Sequence, residues 1–337
     1  KEQYEAVNTT EGALLILAGA GSGKTRVLTH RIAHLILDCN VQPFSILAIT
    51  FTNKAAKEMR ERIEKLAGDG AAEVWVSTFH SGCAKILRRD IEKLGYTRSF
   101  TIYDDDDQMS ALKEILKRLN IDDKFLPPRE IKSKISDAKN KLLGPQDWFA
   151  QSDRDYRSQM VYDVYNAYEE KLKSSNSLDF DDLIVKTLEL FAQHPPVLEA
   201  YQRKLRYIHV DEYQDTNEAQ DLLFTYLSNG HNLFTVGDIK QSIYRFRLAM
   251  PNIFNDKRKR YALYDEKDSN ISSKIILDKN FRSSKGICDY VNFVFSHLMS
   301  EKVGEINYDK QDWLNYGAKY EKNNAVCAQI NIIDKVK

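Results

Sequence analysis

The segment Leu17-Ala18-Gly19-Ala20-Gly21-Ser22-Gly23-Lys24-Thr25 narrows the possible folds of this chain more than any other. It follows an apolar run over residues 13–18 and opens an amphipathic pattern over residues 25–37. Apolar run, glycine-rich turn and helix start, in that order, read as the first strand–helix unit of an open α/β sheet. The glycines let successive backbone N–H groups turn toward one point, and the helix N-terminus adds the positive end of a dipole. A loop of this kind is an anion cradle. The competing reading is a glycine-rich turn that binds nothing, and the strand–loop–helix context argues against it.

The same alternation recurs along the chain. Apolar runs at 46–50, 74–78, 207–211, 233–237 and 274–277 read as buried parallel strands. Helical spacing at 25–37, 55–66 and 80–94 lies between the early ones. The alternation stops between Asp104 and Ser177, where the pattern is almost wholly helical. Asp179, with Asp182 three residues on, reads as a helix N-cap where the alternation resumes. The fold class expected is α/β, a parallel sheet with crossover helices. Residues 1–103 and 177–278 form the sheet domain, 104–176 an inserted helical subdomain, and 279–337 the start of a second α/β domain. No internal repeat or low-complexity tract is present.

A composition of 42% hydrophobic and 29% charged residues suits a globular protein rather than a disordered one. Lys+Arg and Asp+Glu both number 49, so any nucleic-acid site must be a local groove rather than a basic tail. Residues 1–10 are polar and no apolar run is long enough for a bilayer, so the expectation is a soluble, intracellular protein with no membrane partner. The four cysteines, Cys39, Cys83, Cys288 and Cys327, have neither C-x-x-C nor zinc-ligand spacing and read as reduced thiols. The abrupt opening and the basic stub at 334–337 read as a piece of a longer protein.

The loop has the composition of a P-loop, with Ala18 standing where the first glycine is usual. Lys24 places a charge on the β- and γ-phosphates of ATP, and the Thr25 hydroxyl can hold Mg²⁺. Ala20, Gly21, Ser22 and Gly23 supply backbone N–H groups, and Arg26 is a further contact. A second site follows from Tyr207-Ile208-His209-Val210-Asp211-Glu212, an apolar strand ending in two acids. Acids at a strand's carboxyl end face the ligand crevice of such a sheet. Asp211 is the metal ligand and Glu212 the base that orients and deprotonates water. Alone, adjacent acids more often cap helices or sit on surfaces; beside a P-loop they suit hydrolysis.

Asp211-Glu212-Tyr213-Gln214-Asp215-Thr216-Asn217 resembles the second motif of superfamily 1A DNA helicases. Thr50-Phe51-Thr52-Asn53-Lys54-Ala55-Ala56 and Ser77-Thr78-Phe79-His80-Ser81 are similar to the family's two DNA-contacting motifs that follow the P-loop. Residues 236–247, from Val236-Gly237-Asp238 through Gln241 to Tyr244-Arg245-Phe246-Arg247, resemble motif III. Lys279-Asn280-Phe281-Arg282-Ser283-Ser284 resembles motif IV. Up to about residue 228 the wording is closest to the UvrD/PcrA/Rep branch; from about 232 it resembles AddA-type helicase–nuclease subunits. That difference implies either an unusual member or two joined genes.

The resemblance implies RecA-like domains, a DNA-stimulated ATPase motor running 3′ to 5′, and a bacterial cytosolic, nucleoid-associated setting in repair or recombination. It casts Gln3 as the adenine reader, Phe281 as a ring stacked on the base, Gln241 as the link between γ-phosphate and DNA, and Arg282 as a transition-state cation. Phe51, Thr52, Asn53, His80, Tyr244, Phe246 and Arg247 are its DNA contacts. For each aromatic the alternative is core packing, and His80 can equally be a satisfied core histidine. The basic stretches at 129–141 and 257–260 read as solvated helix faces rather than duplex contacts. Implied partners are single-stranded DNA, single-strand/duplex junctions and a nuclease or recombination subunit. The family's later motifs are not found before Lys337, so poor hydrolysis and no strand separation are expected of this chain alone. Two other readings stay open: a nucleotide-gated DNA-binding module without turnover, and a small-molecule P-loop kinase.

Overall fold

A computed structural model describes residues 1–242, 249–266, 272–304 and 306–318. The polar N-terminal stretch forms helix α1 (Glu2–Asn8), followed by strand β1 (Leu14–Ala18) and, after the glycine loop, helix α2 (Lys24–Leu37). Two similar units come next, β2 (Ile46–Thr50) with α3 (Asn53–Ala67) and β3 (Trp75–Thr78) with α4 (Phe79–Asp90). A threonine caps each of these helices: Thr52 Oγ1 accepts from the Ala55 N–H, and Thr78 Oγ1 from the Ser81 N–H. The helix expected to reach residue 94 ends at Asp90 and tightens into a 3₁₀ turn over Ile91–Leu94.

The chain leaves this region through β4 (Thr101–Ile102) and makes four helices, α5 (Asp105–Arg118), α6 (Pro128–Asn140), α7 (Pro145–Gln151) and α8 (Tyr156–Ser174). It returns through β5 (Ser177–Leu178), which pairs in parallel with β4. The four helices bury a cluster of their own that includes Leu112, Ile115, Ile131, Ile135, Val164 and Tyr168. Helix α9 (Phe180–Gln193) then starts on a reciprocal capping box of Asp179 and Asp182, the cap read from the sequence. These two acids also grip the buried Lys139 Nζ of α6, at 2.8 and 2.7 Å, with Glu169 Oε1 of α8 at 2.8 Å. Lys139 therefore departs from the solvated face expected of residues 129–141: three carboxylates hold it between α6, α8 and α9.

Helix α10 (Pro195–Lys204), β6 (Tyr207–Val210), α11 (Glu218–Leu227), β7 (Leu233–Gly237), α12 (Pro251–Arg260), β8 (Ala262–Leu263) and β9 (Ser273–Leu277) complete the main sheet. Its seven strands run in the order β3-β2-β6-β7-β1-β9-β8. Every pairing is parallel. Lys257 on α12 is a second correction to the solvated-face reading: it is buried, 2.8 Å from Asp221 Oδ1. After β9, β10 (Lys279–Asn280) leads to α13 (Lys285–Leu298), α14 (Glu301–Gly304) and β11 (Asn315–Tyr316), and β10 pairs with β11.

Side chains alternate across the sheet with a period of two. Leu14, Ile16, Ile46 and Ala48 join the core under α2 and α3, whereas Leu15, Leu47 and Ile49 join the core that includes residues of α4, α9 and α11. All seven strands point their carboxyl ends at one edge, so the turns after β1, β2, β3, β6 and β7 converge there. Among the described residues no helix is long and apolar enough to cross a membrane. Cys39, Cys83 and Cys288 are free thiols; Cys327 and the basic stub at 334–337 lie outside the described residues.

His209 lies in the middle of β6, between Ala48 of β2 and Phe234 of β7, and is fully buried. Burial, helped by the Arg31 guanidinium, holds its pKa well below 6.5. The unfolded imidazole takes up a proton near 6.5 and the folded one does not, so stability falls as pH drops below that value. The limiting slope is about 1.4 kcal/mol per pH unit. His209→Leu should flatten the dependence of urea unfolding free energy on pH between 6.5 and 5; an unchanged slope would contradict this account.

Candidate active site and adjoining groove

The glycine loop is held in shape by its own hydrogen bonds. The Gly19 N–H donates to Leu277 O of β9 at 3.1 Å, and the Ser22 N–H and Oγ both donate to Gly19 O, at 3.1 and 2.7 Å. These bonds close the loop on itself and on the neighbouring strand. Gly23 sits at φ 90° as the N-cap of α2, a backbone state that side-chain-bearing residues rarely adopt. Lys24 and Thr25 follow in the first turn, so both side chains rise beside the helix N-terminus.

The side chains from the other strand ends meet them. Lys24 Nζ donates to Gln241 Oε1 at 2.7 Å and lies 3.6 Å from Glu212 Oε2. Thr25 Oγ1 donates to Asp211 Oδ2 at 3.3 Å. Gln241 Nε2 is anchored on Asp238 Oδ2 at 2.7 Å. Residues that lie 186 and 217 positions apart in the chain are thus in hydrogen-bond contact. The turn after β6 is tight: Glu212 adopts φ 51° and its N–H donates to Asp211 Oδ1 at 3.0 Å. Such strain in a non-glycine residue is stored where the surroundings over-determine it. Burial, then the neighbouring Glu212 carboxylate, push the Asp211 carboxyl up to about 7 against the pull of Lys24.

A third wall comes from the segment after β9. Asn280 Nδ2 donates to Ala20 O at 2.8 Å, and the Phe281 N–H donates to Gly21 O at 3.0 Å. The Asn280 side-chain oxygen accepts from the Arg282 and Ser283 N–H groups at 2.9 and 2.8 Å. The backbone of Phe281 and Arg282 is thereby held beside the loop. A cavity of about 300 Å³ is lined by the loop with Lys24, Thr25, Arg26, Glu212, Gln241, Arg282 and Arg62. Beside it, a cavity of about 340 Å³ is lined by Gln3, Ser22, Phe281, Lys279 and Tyr316. Gln3 Nε2 donates to Ser22 O at 2.7 Å. Arg62 was not expected. It stands among Glu58, Arg60, Glu61 and Glu64 on a charged helix and reads as surface; only the packing of α3 on α2 brings it here.

Glu212 is tied to a second region through Gln214, whose Nε2 donates to Glu212 Oε2 at 2.7 Å and to Asp215 Oδ2 at 3.3 Å. Gln214 Oε1 accepts from the Asp238 N–H at 3.0 Å. Asp215 in turn accepts from Ser242 Oγ at 3.1 Å and lines a groove of about 1100 Å³. Phe51, Thr52 and His80 line the same groove, opposite Arg129, Lys132 and Lys134 of α6, and Trp148 of α7 joins them. Phe51 stands edge-on to Phe79 at 5.1 Å, and Phe79 edge-on to Phe224 at 5.2 Å, so its ring is braced from the core. His80 packs edge-on against Phe180 at 5.8 Å. Asn53 is exposed at the start of α3 and does not line the groove. Tyr244, Phe246 and Arg247 lie outside the described residues.

A family model for the UvrD/REP helicase N-terminal domain matches residues 1–262. The chain belongs to this family. The ATP-dependent DNA helicase PcrA of Bacillus subtilis (strain 168) is 52% identical over 301 residues, covering 89% of this chain and 40% of the relative. PcrA of Staphylococcus aureus (strain Mu50) and of Staphylococcus epidermidis are each 52% identical over 304 residues, with the same coverage. The chain thus spans about 40% of the length of the curated relatives it matches. Membership in the UvrD/REP family agrees with the superfamily 1A resemblance.

Gly237, at the end of β7, lets Gln214 reach the Asp238 N–H. A Cβ there would meet Gln214 Oε1 at 2.4 Å and Phe254 Cε2 at 2.8 Å. Gly237→Ala should lower unfolding free energy in denaturant by about 1–3 kcal/mol, the usual range for overpacking. A loss under about 0.5 kcal/mol, the scale of a neutral surface change, would show that Gln214 is not held there.

Proposed function

We propose that this chain is the ATP-binding segment of a DNA translocase motor that hydrolyses Mg-ATP and moves along single-stranded DNA, 3′ to 5′ by family resemblance. The observation that carries this reading is the meeting of Lys24, Thr25, Asp211 and Glu212 at one sheet edge, beside a groove reached through Gln214 and Asp215. The name of the relatives, ATP-dependent DNA helicase, supports it. We divide the chain as read from the sequence, with residues 104–176 as an inserted subdomain and 279–337 as the start of a second RecA-like domain. Bacterial relatives support a cytosolic, nucleoid-associated setting. The AddA-like wording after residue 232 points to a nuclease or recombination partner.

Each residue's part follows from its chemistry. Lys24 neutralises the β- and γ-phosphate oxygens, and Gln241 Oε1 marks where its ammonium finds an acceptor. A buried carboxylate and a hydroxyl form a hard oxygen donor pair, so Asp211 and Thr25 fit Mg²⁺. When bound, the ion supplies charge neutralisation on the phosphates. Glu212 accepts a proton from the water that attacks the γ-phosphorus as the bond to the ADP oxygen breaks. Arg282 and Arg62 offset charge on the transferring group. Gln3 and Phe281 hold the base. Gln214 joins Glu212 to the groove, so nucleotide state and DNA grip share one hydrogen-bond path. In the groove, Phe51 offers a ring to a base, and Thr52, His80 and the α6 cations face phosphates and sugars.

Glu212→Gln should keep ATP affinity and lower single-strand-stimulated ATP turnover by roughly 10²–10⁴-fold, the scale of a lost general base. Turnover indifferent to single-stranded DNA would favour a small-molecule kinase, and binding of both ligands without turnover a passive module. Phe51→Ala should weaken oligo-dT binding by about 1–3 kcal/mol with ATP affinity unchanged. Equal oligo-dT affinity in both proteins would place the strand elsewhere.

A further inference from the structure

Helix α1 has seven residues, far below the length at which a helix holds itself together in water. Its only buried residue is Ala6. Something outside the helix must fix it, because it carries Gln3 to the glycine loop. The clamp is Arg31, on α2, fully buried and lying with its guanidinium 4.6 Å over the Phe234 ring. Nη1 donates to Ala6 O at 3.1 Å and to Thr9 O, and Nη2 donates to Thr10 O at 3.1 Å. One side chain thus satisfies a carbonyl of the last helical turn and two of the exit loop, groups that a helix C-terminus leaves without partners. Burial lowers the Arg31 pKa only to about 10, so it stays cationic at neutral pH.

Resting on the nucleotide reading above, we infer that Arg31 is a positioning residue that fixes α1 so that Gln3 meets the nucleotide base, and so sets the preference for adenine over guanine. Gln3 Nε2 is engaged by Ser22 O, which leaves Oε1 as the atom to accept from an incoming donor. Adenine presents the exocyclic N6 amine as that donor, and guanine presents an acceptor oxygen at the same place. Gly23 keeps the approach relaxed, since a Cβ there would lie 3.1 Å from Gln3 Nε2, closer than ordinary contact. Arg31 lines neither of the two cavities beside the loop. It acts through the carbonyls of α1.

The test measures equilibrium affinity for Mg-ATP, Mg-GTP and inorganic tripolyphosphate in the wild type, Arg31→Met, Arg31→Lys, Gln3→Ala and the Arg31→Lys/Gln3→Ala double variant. Hydrogen exchange of residues 2–8 is read alongside. Arg31→Met should weaken ATP about tenfold, the weight of one hydrogen bond, and leave GTP and tripolyphosphate within about twofold. Arg31→Lys, which keeps the charge and one donor, should fall between and remain folded if Arg31→Met does not. Exchange of residues 2–8 should rise in both, and the double variant should lose no more than Gln3→Ala alone. Equal losses for all three ligands, additive losses in the double variant, or a wild type that binds ATP and GTP equally would overturn the role of Arg31. A wild type that binds none of the three would instead overturn the nucleotide site itself.

Discussion

Lys24 Nζ is an almost buried ammonium that sits 2.7 Å from Gln241 Oε1 and 3.6 Å from Glu212 Oε2. A charge in that position needs partners, because taking it out of water without them is costly. The partners come from the turns that follow β6 and β7, and the lysine from the first turn of α2, just past the loop after β1. The site therefore exists only when three strand ends are in parallel register and at one edge. The two apolar cores, one on each face of the sheet, hold that register. What reads as a phosphate site is also a check on correct assembly of the sheet.

The turn from 211 to 217 does two jobs because it changes direction inside a few residues. Asp211 meets Thr25 and Glu212 lines the cavity at the loop, while Asp215 and Asn217 line the groove. Gln214 stands between them with both ends of its amide used, toward Glu212 and Asp215 on one side and the Asp238 N–H on the other. Asn217 caps α11 and also donates to Asn140 of α6 at 2.5 Å, which ties the groove's two walls. The carboxylates of Glu212 and Asp215 thus share one donor, the Gln214 amide, between the loop and the groove.

The strands and the loop were legible in the sequence because their signals are local. The runs at 46–50 and 233–237 form strands with those bounds, and β6 stops one residue short of the expected 211 because Glu212 turns to a positive φ. The Asp179–Asp182 cap was legible for the same reason. What escaped depends on distant partners. Helix α1 is short and polar, so no periodicity marks it, and its partners, the Arg31 guanidinium and the core around Ala6, come from distant elements. Lys139 looks like its solvated neighbours until α8 and α9 bring three carboxylates to it. Asn280 reaches Ala20 across 260 residues, a bond that no spacing announces. Arg62 needed the packing of α3 on α2 to face the loop at all.

The most direct test is a crystal structure of the chain with a non-hydrolysable ATP analogue and Mg²⁺. The account predicts the γ-phosphate between Lys24 Nζ and Gln241, the metal between Thr25 Oγ1 and Asp211, and Glu212 facing a water in line with the β–γ bridge. A nucleotide lodged in the groove by Phe51 and His80, or a metal away from Asp211, would contradict it.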